Sequence, residues 1–209
     1  MIFEKLTELF LKFPGIGPRQ ARRFAYFLAG ENKDFASALA EAILEIKKNA
    51  KQCSSCFRFY ESLTPGVGSP LCGICSSPNR DSSLLMVVEK NVDLDNLEKT
   101  GVYNGKYFIL GGTISLNGKN NASELRFKDL FEMLRQSSVQ GEPLEIILAL
   151  SATIEGENTS RYIEKILQPL SSKGGQEIKT SKLGRGLSTG TELEYIDSET
   201  LNNALKNRS

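Results

Sequence analysis

The sequence predicts an α/β protein. A mostly parallel sheet with flanking helices is preceded by a helical module and a four-cysteine segment, and followed by a short C-terminal α/β segment. Three observations predict this. Apolar residues recur at helical spacing ahead of Lys51. Two C-x2-C pairs follow, Cys53/Cys56 and Cys72/Cys75. After Asp81, short apolar runs alternate with helical patterns, as strands and crossover helices of a parallel sheet do.

In chain order, Phe3, Leu6, Leu9, Phe10 and Phe13 mark a first helix, which should stop before Pro14 because proline cannot donate to the helix ladder. Arg19 to Ala29 suits a second helix. Asp34 is placed to cap a third, reaching about Lys51. Leu84-Leu85-Met86-Val87-Val88 is a continuous apolar run, as expected of a buried parallel strand. Val92–Lys99 reads as a helix. Tyr107–Leu110 reads as a strand broken by Gly111-Gly112, and Ser123 as the cap of a helix through Arg135. Leu144–Leu150 is a third strand, Asn158–Leu170 a helix, and Gln176–Thr180 a weaker fourth strand. Asp197 caps a last helix to about Asn207.

The 209 residues contain no His and four Cys. That excludes Ser-His-Asp and Cys-His catalysis and any histidine-bearing metal site. No apolar stretch approaches about 18 residues, and no export signal opens the chain, so a cytoplasmic protein with no membrane partner is expected. The charge totals nearly cancel, 26 Lys+Arg against 25 Asp+Glu, but they are unevenly spread. Lys12, Arg19, Arg22 and Arg23 lie between Leu9 and Gly30 without an acid among them. Lys47, Lys48, Lys51 and Arg58 do the same between Ile46 and Tyr60. The remainder carries 18 positive and 25 negative residues. A basic N-terminal part on an acidic body suits a polyanion such as nucleic acid; two solvated helix faces are the alternative.

Cys53, Cys56, Cys72 and Cys75 lie within 23 residues. Two C-x2-C pairs can supply four thiolates to one tetrahedral zinc, one per chain, with no position left for a reacting water. A redox dithiol or an iron–sulfur cluster uses the same residues, but the doubled pair favours structural zinc. The segment has little apolar material of its own, so the metal should supply much of its folding energy.

Pro14-Gly15-Ile16-Gly17-Pro18 separates two helices and is followed by Arg19, Arg22 and Arg23. Gly15 and Gly17 can adopt conformations closed to other residues and let a ligand approach the backbone. The free N–H groups of the next helix can seat a phosphate. An ordinary αα-hairpin turn also uses Gly and Pro. Near the ends of the predicted strands lie Glu89, Asp93, and the pair Glu155 and Glu157. No G-x-x-x-x-G-K-[ST] loop and no G-x-G-x-x-G after a strand is present.

The spacing at Pro14–Pro18 resembles a helix-hairpin-helix DNA-binding motif, and the acids resemble those of a Toprim domain. In sequence order, FPGIGPRQARRFAYFL, CSSC…CGIC, LLMVVEKNVDLDNLEKTGVYNGKYFILGG, EIILALSATIEGENTSRYI and GRGLSTGTELEYIDSETLNNAL resemble the RecR family of bacterial recombination mediators. The resemblance implies a helix-hairpin-helix module at 1–52, a zinc finger at 53–78, a Toprim domain at 79–175 and a C-terminal segment at 176–209. It implies a non-enzymatic protein that contacts DNA backbone irrespective of sequence, through Gly15, Gly17, Arg19, Arg22, Arg23, Lys47, Lys51 and Arg58. It implies self-association to dimers and ring-shaped tetramers, and action with RecO, and RecF where present, to load RecA on single strands. Glu89, Asp93, Glu155 and Glu157 would then be contacts for weakly bound Mg²⁺ or for a partner. The competing expectation is a metal-dependent Toprim enzyme, primase- or nuclease-like, using Glu89, Glu155 and Glu157. Leu63–Pro70 looks inserted relative to the family, and Phe108, Leu116, Ser188 and the stretch Asn117–Ser123 depart from its usual pattern.

Overall fold

The helical spacing at the N-terminus produces α1 (Ile2–Phe10), α2 (Pro18–Gly30) and α3 (Lys33–Asn49). The computed structural model describes residues 1–61, 69–115, 122–139, 144–171, 178–184, 187, 190 and 192–206. Most of the loop Leu63–Pro70 lies outside them, as do Leu116, Ser188, Gln176 and most of Asn117–Ser123. The chain divides into two units: Met1–Lys51 with Glu61–Gly68, and Gln52–Tyr60 with Ser69–Ser209.

In the first unit, α1 ends at Phe10, and the chain turns as Phe13 N–H donates to the Phe10 carbonyl at 3.0 Å. Aromatic contacts join α1 to α2, with ring centroids 5.0 Å apart for Phe3–Tyr26 and 5.6 Å for Phe10–Phe24. The cap of α3 is Asn32, not Asp34: the Asn32 side chain accepts the Phe35 N–H at 2.8 Å, which places Asp34 inside the first turn. No residue of α3 is buried, and Phe35, Leu39, Ile43 and Ile46 leave an apolar stripe open along it.

Two short strands missing from the sequence reading, β1 (Ala50–Gln52) and β2 (Phe59–Glu61), pair in a two-stranded sheet. A single helical turn, α4 (Gly73–Ser76), carries Cys75. Then come β3 (Asp81–Val88), α5 (Asn91–Thr100), β4 (Gly105–Ile109), α6 (Phe127–Val139), β5 (Leu144–Ala149), α7 (Ile154–Ser171), β6 (Ile178–Lys182) and α8 (Ser198–Lys206). Ser123 falls in a short 3-10 turn ahead of α6. Asp197 caps α8 as expected, accepting the Thr200 N–H at 2.8 Å.

The second unit is built on a four-stranded sheet of order β4-β3-β5-β6 whose neighbouring strands all run parallel. Side chains alternate across it. Leu85, Val87, Phe108 and Leu110 face a core completed by Leu130 and Leu134 of α6 and Ile163 and Leu167 of α7. Met86, Val88, Tyr107 and Ile109 face a second core completed by Leu94 of α5 and by Cys53, Cys56, Cys72 and Ile74. The four-cysteine segment therefore covers one sheet face beside α5, as a helix would. The chain runs from β3 to β4 on one side, then crosses to β5 on the other. This makes the carboxyl ends of β3 and β5 the topological switch point of the sheet.

Candidate metal centre and nucleic-acid interface

The four cysteine sulfurs lie within 4.8 Å of one another, with Cys56 Sγ 3.6 Å from Cys72 Sγ. A disulfide would bring two sulfurs to about 2.0 Å. A tetrahedron of ~2.3 Å metal–sulfur bonds spaces its sulfurs at about 3.8 Å. The cluster thus fits one tetrahedral cation. Backbone turns set it up: Phe57 N–H donates to the Cys53 carbonyl at 3.0 Å, and Ser76 N–H to the Cys72 carbonyl at 3.0 Å. Cys72 N–H points at Cys53 Sγ, 3.3 Å away. Hydrogen bonding to Cys72 pushes the Cys56 thiol above its usual range, and the same bond holds Cys72 below it. Thiols packed this closely cannot all ionise without a cation between them. Zinc suits the all-thiolate set, and Cys53, Cys56, Cys72 and Cys75 are the residues that would hold it.

The basic hairpin lies wholly in the first unit. Gly15 sits at φ +77°, a left-handed conformation that favours glycine, and Gly17 at φ −88°, ψ 170°, which any residue adopts. The expectation that both glycines need special backbone angles therefore holds for Gly15 alone. A Cβ on Gly17 would meet nothing within 4 Å, so only an approaching ligand could require its absence. Gly17 caps α2 without any side-chain bond and Pro18 occupies its first turn, so the N–H groups there remain available. Arg19, Arg22 and Arg23 are exposed and, with Pro18 and Tyr26, line one depression. Among the described residues none of the three is ion-paired to an acid; Arg23 reaches only Gln20 Oε1 at 3.4 Å. Gly17→Ala should leave thermal unfolding unchanged and weaken DNA binding. Gly15→Ala should cost about 1 kcal/mol of stability. Unfolding curves and binding titrations on the two variants distinguish these outcomes.

Lys47 lies exposed in the last turn of α3 and Lys51 is half-buried in β1. Arg58 belongs to the second unit, where its guanidinium pairs with Asp95 of α5 at 2.7 Å. That engagement is a long-range contact with no signature in the local sequence. Phe57 is half-buried and packs edge-on against Phe108 at 5.4 Å, with the Arg126 guanidinium 4.9 Å from its centre.

Three of the four acids at the switch point, Glu89, Asp93 and Glu157, are separately engaged. Glu89 is buried and accepts the Ser151 N–H at 2.6 Å, tying the end of β3 to the end of β5. Asp93 accepts the Lys90 N–H at 2.9 Å, inside the capping box of α5. Glu155 and Glu157 do not sit in a loop after the strand. Helix α7 starts at Ile154, ahead of the expected Asn158, and puts both in its first turn. Thr153 causes the earlier start, its hydroxyl accepting the Gly156 N–H at 3.1 Å. Glu157 pairs with Lys182 at 3.6 Å. Among the described residues the four cysteines form the only set of three or more potential ligands drawn together closely enough for one ion. Among the described residues the four acids are not drawn together in this way.

Sequence reasoning missed the packing behind these acids. Gly156 lies so close to Ser151 that a Cβ would fall on the Ser151 carbonyl oxygen. Thr159, fully buried, accepts the Ile114 N–H at 2.9 Å and donates to the Glu155 carbonyl at 2.6 Å. Ser160 donates to the Gly156 carbonyl at 2.9 Å. The glycine between two glutamates at a helix start was the one available signal.

Comparison with known proteins agrees with this geometry. The chain is 38% identical over 206 residues to the Recombination protein RecR of Chloroherpeton thalassium, covering 99% of this chain and 95% of that one. The chain belongs to the RecR family. RecR proteins of Pelodictyon phaeoclathratiforme (39% over 207 residues, 99% and 95% covered) and Carboxydothermus hydrogenoformans (37% over 204 residues, 98% and 94% covered) are similarly related. The family model for the RecR helix-hairpin-helix matches residues 3–47, that for the Toprim domain 83–179, and that for the RecR C-terminal region 186–209. The RecR hairpin match spans Gly15, Gly17 and the three arginines, and the Toprim match spans all four acids. Among the described residues, no helix of this RecR-family chain is long and apolar enough to cross a membrane.

Proposed function

We propose that this chain is a non-enzymatic DNA-binding mediator of bacterial recombinational repair. It holds DNA backbone at the α1–α2 hairpin and acts in the cytoplasm with RecO, and RecF where present, to load RecA on single strands. One observation carries the reading: Arg19, Arg22 and Arg23 stand exposed and, among the described residues, unpaired with acids beside the open N-terminus of α2, within a RecR-family helix-hairpin-helix. That arrangement suits phosphate and reads no base. Lys47 and Lys51 extend the contact, and Arg58 would join it only by leaving Asp95. The open apolar stripe of α3 supports self-association to a dimer and a ring-shaped tetramer. Zinc at the four cysteines is structural. The test is binding to single-stranded, duplex and gapped DNA across a salt series, with oligomer size measured in the same buffers. Binding that ignores salt would contradict the backbone reading.

The enzymatic alternative, favoured only by the Toprim match, has its own check. Glu155→Gln with Glu157→Gln should leave magnesium-dependent cleavage and primer synthesis at background, as should the unmodified chain. Activity in the unmodified chain that the double change abolishes would establish the enzyme instead.

A further inference from the structure

An outermost strand presents unpaired N–H and C=O groups that invite pairing with another chain, and folded proteins cover such edges. Among the described residues strand β4 has β3 as its one sheet neighbour, so its other side is such an edge. Three groups cover it. Ile109 N–H donates to the Cys56 carbonyl at 3.0 Å, Arg126 Nη1 donates to the Ile109 carbonyl at 3.1 Å, and Arg80 Nη1 donates to the Gly105 carbonyl at 3.4 Å. The first comes from the Cys53–Cys56 turn, and the second from a guanidinium that lies over the ring of the next residue, Phe57. Cys56 packs on one face of the sheet with Met86, Val88 and Tyr107. The neighbouring Phe57 ring reaches Phe108 on the opposite face, beneath the Arg126 guanidinium. Phe57 holds φ +62°, an unfavourable angle for an aromatic residue, maintained where the turn closes. The turn thus straddles the strand edge, with its ligand sulfur on one side and its aromatic ring on the other.

We propose that the Cys53–Cys56 turn is a metal-dependent guard on the β4 edge. With the cation bound, the turn holds the Cys56 carbonyl and the Phe57–Arg126 pair against the strand. When the cation leaves, the edge opens. The proposal rests on the reading of the four cysteines as a metal site.

The test is hydrogen exchange on the full chain as purified, after chelation, and after return of Zn²⁺, with bound metal measured in each sample. The expected result is that metal loss speeds exchange of the Ile109 amide at least 10-fold more than that of Ile146 and Leu148 of β5, whose own change reports the stability of the whole unit. Zn²⁺ should reverse it. With the metal retained, Phe57→Ala and Arg126→Gln should each speed Ile109 exchange. Unchanged Ile109 protection after measured metal loss overturns the guard and leaves the metal site standing. An equal loss of protection in β4 and β5 overturns it as well, because the cation would then hold the whole sheet. A folded chain that purifies without metal overturns the metal reading and the guard together.

Discussion

Replacing Arg19, Arg22 and Arg23 with Glu is expected to weaken binding to every DNA tested by on the order of 100-fold near physiological salt. The slope of log affinity against log salt should fall by about 2–3. Each arginine that releases a counterion from phosphate contributes close to one unit of that slope. Among the described residues no acid ties these side chains up, which leaves their charge available to a ligand. The substitution sits on the exposed face of α2, away from buried Ala21 and Ala25, so thermal unfolding should barely change. Affinity lost equally across sequences identifies backbone contact. Unchanged affinity in the triple variant would remove the hairpin from the DNA interface.

Removing the metal, or replacing Cys53 with Ser, is expected to destabilise the α/β unit by on the order of 3–5 kcal/mol, about 10–15 °C in its thermal midpoint. The loss is large because three of the four ligands are buried in the core that covers one face of β3 and β4. It is not total, because α6 and α7 give the opposite face a core of its own. One zinc per chain by metal analysis, and a midpoint that falls on chelation and recovers with Zn²⁺, would bear this out. A midpoint indifferent to metal content would contradict it.

Much of this architecture was legible because its signals are local. Leu84–Val88 announces a strand buried on both faces by its unbroken apolar run, and the structure buries it between two cores. The cysteine spacing picked out, without any fold, the four residues whose sulfurs the structure brings together. What escaped depends on distant partners or on choices between equal neighbours. Asn32 and Asp34 can both cap a helix, and sequence alone could not rank them. Thr153 starts α7 four residues before Asn158, hidden by Ile154, an exposed apolar residue in the first turn. Strands β1 and β2 are three residues each, too short for a periodic signal. The roles of Glu89 and Arg58 are fixed by Ser151 and Asp95, contacts made only after the strands have paired.

The position of the cysteine turn along the chain also bears on the order of assembly during synthesis. Cys53 to Cys75 precede all four strands of the parallel sheet, while β6 closes it only at Ile178–Lys182. A metal-clamped loop of 23 residues costs little chain entropy to form and can be complete before β4 emerges. Strand β4 then meets its cover as it pairs with β3, and the growing sheet has one open side, the one that receives β5 and β6. Growth in that single direction lowers the chance that nascent chains on neighbouring ribosomes pair through unfinished sheets.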